Sequence, residues 1–147
     1  MQLKTRSRYS IKALLELSLQ SDRRPLSVRT IADRQDIPAP YLEKLLIALR
    51  HAKIVESVRG VHGGYRLARS PASIFLGQVL EAVGESLELP AMRHDQPERA
   101  EDWAIACLHR RLRRKLDEAL YTVSLEELYY DLRSWQAAQG DLGNFLV

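Results

Sequence analysis

The segment Arg59-Gly60-Val61-His62-Gly63-Gly64 sets one guanidinium and one imidazole among three glycines. Glycines let a backbone come close to another molecule. A guanidinium on such a turn suits the negative potential of a narrow DNA minor groove. Arg59 is the candidate for that groove, with His62, Gly63 and Gly64 following the backbone beside it. A second group lies upstream at Ala39, Pro40, Tyr41, Glu43 and Lys44. Here Glu43 can accept from a cytosine amino group and Lys44 can reach guanine or a phosphate. A carboxylate repels phosphate, so Glu43 belongs in such an interface only as a base reader; otherwise it is solvated or pairs with a neighbour. Arg8, Tyr9, Ser27, Arg29 and Thr30 suit phosphate contacts, which position a protein on DNA without specifying sequence.

Other chemistry finds little support. Four histidines are scattered and there is a single cysteine. No phosphate-binding glycine loop, metal-ligand motif or nucleophile with its base is recognisable, so neither an enzyme nor a metal centre is expected, and no cofactor. One cysteine also excludes a disulfide framework within the chain.

The elements that must position the two groups follow from periodicity. Leu42, Leu45, Leu46 and Leu49 recur at helical spacing behind Pro38 and Pro40, which suit a helix start. After Lys53 the pattern changes to β-formers: Ile54, Val55 and Val58, then Tyr65 and Leu67, bracket the glycine turn as a hairpin. Upstream, Ile11, Leu14, Leu15, Leu17 and Leu19 predict a helix from Ser7 to about Gln20. Ser27 is placed as N-cap of a short helix through Val28 and Ile31. Short helix, tight turn, longer helix and hairpin together make a winged helix-turn-helix. Another short helix over Leu76–Val83 ends near Gly84, and 85–101 reads as a linker. Ile105, Leu108, Leu112, Leu116 and Leu120 predict a long helix from about Trp103 to Tyr121. Ser124 with Glu127 forms a capping box for a last helix to about Ala138, after which Gly140-Asp141-Leu142-Gly143 frees the tail. The fold class is mainly α with a small β-hairpin wing.

Composition agrees with this reading. An apolar fraction of 46% can fill a core, and 28% charged residues indicate a folded, solvated surface. The net charge of +3 hides an asymmetry: residues 1–70 carry 14 Lys and Arg against 6 acids, and residues 71–147 carry 8 against 13. A front half at +8 and a back half at −5 point the front at a polyanion; the alternative is a solvated basic face. No run approaches membrane-span length and no leader pattern is present, so a cytoplasmic protein without membrane contact is expected. A rival reading makes Arg110, Arg111, Arg113, Arg114 and Lys115 a docking patch for an acidic partner protein.

With these residues in place, the chain resembles the Rrf-two family (IscR/NsrR/CymR-like) of bacterial winged-helix transcription regulators. Arg8-Tyr9, Tyr41-Leu42-Glu43, Ser57-Val58-Arg59-Gly60, Gly63-Gly64-Tyr65, Leu76-Gly77-Gln78-Val79 and Val123-Ser124-Leu125 carry the resemblance. It implies a repressor that binds double-stranded DNA at a palindromic operator as a homodimer, answering to an unidentified small-molecule or protein effector. It also favours Glu43 as base reader and implies that the long helix packs on its partner. Trp103, Ile105, Leu108, Leu112, Leu116 and Leu120 are the dimerisation candidates, unless that helix folds back on its own domain. The implied organisation is a DNA-binding domain at 1–84, a linker or sensor loop at 85–101, a helical dimerisation region at 102–139 and a tail at 140–147. The family's iron–sulfur sensors hold a cluster with three cysteines before the long helix. Here Leu89–Pro97 contains none, and Cys107 lies a turn beyond the matching position near Trp103. An iron–sulfur or redox variant would therefore need Cys107 with His94 or His109, shared between two chains; the simpler reading of Cys107 is a small apolar residue in the helix seam.

Overall fold

A computed structural model of the chain describes residues 2–20, 22–87 and 98–145, with side chains to residue 140. Three helices come first: α1 (Thr5–Ser18), α2 (Val28–Gln35) and α3 (Ala39–His51). They are followed by strands β1 (Val55–Val58) and β2 (Gly64–Leu67), a 3₁₀ turn at Pro71–Ser73, and helices α4 (Leu76–Ala82), α5 (Ala100–Leu120) and α6 (Leu125–Phe145).

Local chemistry explains the joints. Ser27 Oγ accepts from the Thr30 backbone N–H at 3.1 Å and caps α2. Asp36 ends that helix in the left-handed region (φ 53°), and Ile37 N–H then reaches Ala32 O at 3.0 Å. Lys53 does the same for α3 at φ 61°, with Ile54 N–H on Leu49 O at 3.0 Å. Helix α3 thus passes straight into β1. The two strands are antiparallel, Val55 opposite Leu67 and Val58 opposite Gly64. Leu26 adds a one-residue third strand: its N–H donates to Tyr65 O at 2.9 Å and its carbonyl accepts from Tyr65 N–H at 2.8 Å.

The core gathers the predicted stripes. Leu14, Ile31, Leu42, Leu46, Leu49, Ile54 and Ile74 are completely buried, with Tyr65, Leu67 and Val79 beside them. At about 1.5–3 kcal/mol for each large side chain, this burial dominates the stability of the domain. Two buried carboxylates brace it. Glu16 accepts from Arg34 at 3.3 Å and Gln35 at 2.5 Å, tying α1 to α2. Glu85 accepts from the Lys4 backbone N–H at 2.8 Å and from Ser7 Oγ, tying the end of α4 to the start of α1.

The C-terminal region is rooted in the same core. Leu76 N–H donates to Val123 O at 3.0 Å, Leu125 N–H donates to Ile74 O at 2.8 Å, and Leu125 is buried among the core side chains. Ser124 and Glu127 form the expected capping box, each side chain accepting from the other's backbone N–H at 3.3 Å. Tyr121 donates to the Glu81 carboxylate, a bond that raises its phenol pKa, and its ring lies against Gly77.

Three boundaries differ from the sequence reading. Helix α1 starts at Thr5, two residues early, and α5 starts at Ala100, taking in the end of the 85–101 linker. Helix α6 continues through Gly140 to Phe145, where a free tail was expected. Gly140 and Gly143 each cost a helix only about 1 kcal/mol, and neither stops it.

Candidate nucleic-acid interface

Some of the residues singled out by chemistry come together, Tyr9 with Tyr41 and Ser27 and Thr30 with His62 and Gly63. Ala39 and Pro40 are exposed in the first turn of α3, and Lys44 is exposed one turn on. Tyr41, 37% exposed, packs edge-to-face on Tyr9 of α1, with ring centroids 5.9 Å apart and planes at 73°. Helix α1 therefore presents Arg8, which is exposed, close to the start of α3.

Glu43 is half-buried and accepts a hydrogen bond from Tyr65 Oη at 3.1 Å. Of the alternatives left open for Glu43, pairing with a neighbour is realised. Burial, and then the carboxylate beside it, raise the Tyr65 phenol above its ordinary pKa, so it stays a donor. The carboxylate thus keeps one oxygen on β2 and has a second left over for another donor.

The wing completes the surface. Arg59, Gly60, Val61 and His62 are exposed, Val61 at 97%. A cleft of about 490 Å³ separates this turn from the start of α2, lined by Ser27, Thr30, His62 and Gly63 together with Arg24 and Val61. Arg29 is exposed, and its 4.0 Å approach to Asp33 leaves it effectively solvated. Gly63 and Gly64 are required by their surroundings: a Cβ on Gly64 would overlap the Leu26 carbonyl, and one on Gly63 would overlap the Val58 carbonyl. Sequence reasoning passed over Arg24 and Val61. An apolar residue at the tip of a polar turn was the available signal for Val61.

The long helix is different in kind. Within this chain no residue of α5 is buried. Ile105, Leu108 and Leu112 are 53%, 55% and 52% exposed along one stripe, and Leu116 and Leu120 are half-buried where the helix rests near α4. At about 100° per residue, Trp103 lies on the far side from Ile105. Arg110, Arg111 and Arg114 lie across the helix from the leucines and Arg113 and Lys115 border the stripe, all five exposed as the solvated side of an amphipathic helix.

Cys107 is half-buried on that solvated side, outside the leucine seam, and its Sγ accepts from Arg110 Nη2 at 3.1 Å. Cys107 and His109 are two positions apart, which turns them to different sides of α5, so one chain cannot close both on one metal. His94 lies outside the described residues. Among the described residues no three His, Cys, Asp or Glu come together as a metal site. Within one chain, the described residues offer a single thiol beside a guanidinium, too few ligands for an iron or iron–sulfur site.

A capped short helix, a left-handed turn, an exposed helix start and a basic two-stranded wing define a winged helix-turn-helix protein that binds DNA. Comparison with known proteins narrows the class. Residues 3–131 match the Rrf2 family, described as an iron-dependent transcriptional regulator. The chain is 56% identical over its whole length, and over the whole length of the relative, to a protein of Synechocystis sp. named as an HTH-type transcriptional regulator, slr0846. Among solved structures it is similar to T. potens IscR (TM-score 0.72, 29% identity, covering 92% of this chain and 91% of that one). It is also similar to CymR of B. subtilis, the global cysteine regulator (TM-score 0.72, 28% identity, 88% and 97%). The chain belongs to the Rrf2 family of transcriptional regulators. It is not an enzyme. Among the described residues no helix is long and apolar enough to cross a membrane.

Proposed function

We propose that this regulator is a cytoplasmic homodimer that represses transcription from a palindromic operator. The observation that carries the reading is the division of exposed surface. Lys44 is exposed near the start of α3 and Arg59 on the glycine-rich wing, and α5 leaves an uncovered stripe at Ile105, Leu108 and Leu112. A stripe of this kind suits packing against the same helix of a second chain, which would set two winged domains about one or more turns of DNA apart. Leu116 and Leu120 extend the contact toward the domain, and Trp103, on the far side of α5, lies outside it.

In this reading the first turn of α3 enters the major groove. Lys44 reaches guanine or phosphate, and Glu43, oriented by Tyr65, accepts from a cytosine amino group through its remaining oxygen. Arg59 enters the minor groove, with His62, Gly63 and Gly64 beside the backbone. Ala39, Pro40 and Tyr41 face the major groove with Glu43 and Lys44, and Arg8, Tyr9, Ser27, Arg29 and Thr30 contact phosphates and set the register.

The test is a binding series on the operator recovered from cells. Arg59→Ala is expected to weaken binding to every sequence, and Glu43→Ala to relax preference at one base pair by about 1–3 kcal/mol. Binding should weaken steeply with salt. Unchanged affinity with both substitutions would remove this interface, and a reporter whose output falls when the chain is deleted would exclude repression.

A further inference from the structure

A cleft of about 270 Å³ lies at the other end of the hairpin from the wing turn, between the last turn of α1, Arg23 and the exit from β2. Leu17, Leu67 and Pro71 give it an apolar wall, and Arg23, Arg66 and Arg69 line it with three guanidinium groups. Their partners divide them. Arg66 is neutralised by Glu56, with Nε 2.5 Å from Oε1. Arg23 donates to the Leu67 carbonyl at 2.9 Å and Arg69 donates to the Gln78 side-chain oxygen at 3.3 Å, both uncharged acceptors. Neither is paired with a carboxylate among the described residues. Arg69 Nε is moreover buried without a hydrogen-bond partner among them, an expensive state for a charged donor. Arg23 holds the left-handed region at φ 52°, where glycine or asparagine sits more easily.

Two cations without a carboxylate partner, Arg23 exposed and Arg69 half-buried, beside an apolar wall recognise an anion that carries an apolar body. We propose that this cleft binds a small organic carboxylate, its charge against Arg69 and Arg23 and its aliphatic or aromatic part against Leu17, Leu67 and Pro71. The volume is near the lower end of the roughly 300–1,000 Å³ of ordinary ligand sites, which favours a ligand of few atoms. The cleft lies away from the wing turn, since Leu67 is three residues along β2 from Gly64, about 10 Å.

The position on β2 makes the cleft an effector site. The same strand carries Tyr65, which holds Glu43 and pairs with Leu26, and the Leu26 segment begins at Arg23. This second step rests on the DNA interface proposed above; ligand binding itself does not, so the two fail separately.

Calorimetric titration of the full chain with 4-methylpentanoate, 4-methylpentanamide, acetate and inorganic phosphate tests the site. The carboxylate with its branched body is expected to bind at about 1 mM or tighter, and each of the other three about tenfold more weakly. Arg23→Gln and Arg69→Gln should each weaken 4-methylpentanoate by about tenfold. Ser18→Leu, which fills the cleft and removes no arginine, should do the same and decides the matter where an arginine variant fails to fold. No binding, equal binding of the amide, acetate or phosphate, or binding that survives Ser18→Leu overturns the site. With 4-methylpentanoate saturating, operator affinity is expected to change at least about threefold. Unchanged affinity in a chain that binds both overturns the effector role alone.

Discussion

Replacing Gly64 with alanine tests whether the wing is held by its contact with the segment before α2. Gly64 sits at φ 152°, opposite Val58, and an added Cβ would overlap the Leu26 carbonyl and stand 2.7 Å from Ser27 N. Both are backbone atoms, so the strand pair has to part. That breaks the two hydrogen bonds between Leu26 and Tyr65, each worth about 1 kcal/mol net. The unfavourable φ adds about 1–2 kcal/mol, for a total of about 3–4 kcal/mol. Gly60 supplies the comparison. Its φ is 120°, but nothing stands within 4 Å of a Cβ there, so Gly60→Ala should cost only the conformational part, about 1–2 kcal/mol. Urea unfolding at one fixed protomer concentration measures both. With a slope near 2 kcal/mol per molar, the midpoint should fall by about 1.5–2 M for Gly64→Ala and about 0.5–1 M for Gly60→Ala. Equal shifts would refute the claim that Leu26 pins the wing.

Three further outcomes are expected. Leu108→Glu with Leu112→Glu places two charges on the open stripe of α5, and sedimentation should show the dimer lost with the unfolding of the winged domain little changed; a dimer that persists would move the interface elsewhere. Tyr65→Phe removes the donor to Glu43 and should cost about 1 kcal/mol in chemical denaturation while loosening base preference. Because the folded phenol pKa lies above the unfolded value of about 10, this contribution is complete below that pH and is lost as pH rises through the folded value; ultraviolet titration should show Tyr65 and Tyr121 ionising late, and the loss of one late step in Tyr65→Phe identifies the Tyr65 share. Ser27→Ala removes an exposed N-cap and should destabilise by about 1 kcal/mol, with equal stability to the parent as the contrary result.

What the sequence revealed was local. The stripe of α3, the caps at Ser27 and Ser124, and the change of period after Lys53 are signals carried within a few residues, and the structure realises each. Contacts between distant positions left no such trace. Glu85 is 78 residues from Ser7, and Glu16 is 18 from Arg34, so nothing in either neighbourhood marks them as core braces. The single-residue pairing of Leu26 with Tyr65 is too short to carry a strand pattern. At the candidate interface, residue types suggested the surface, but the Tyr65 contact that orients Glu43 depends on how far β2 folds back over α3. Cys107 was expected in the seam as a small apolar residue, yet it is half-buried on the arginine side, where its Sγ accepts from Arg110.

The bridge between Phe75 and Ser124 has a consequence for geometry at a distance. The chain leaves the winged domain to form α5 and returns to the same core at Leu125, so the foot of the long helix is clamped to the domain that carries α3. If α5 joins two copies, each reading head is a rigid arm on a common axle, with no tether to take up slack. The phase between half-sites is then set by the angle at which α5 leaves its foot, and the helical repeat of DNA becomes a dimension already written into the protein.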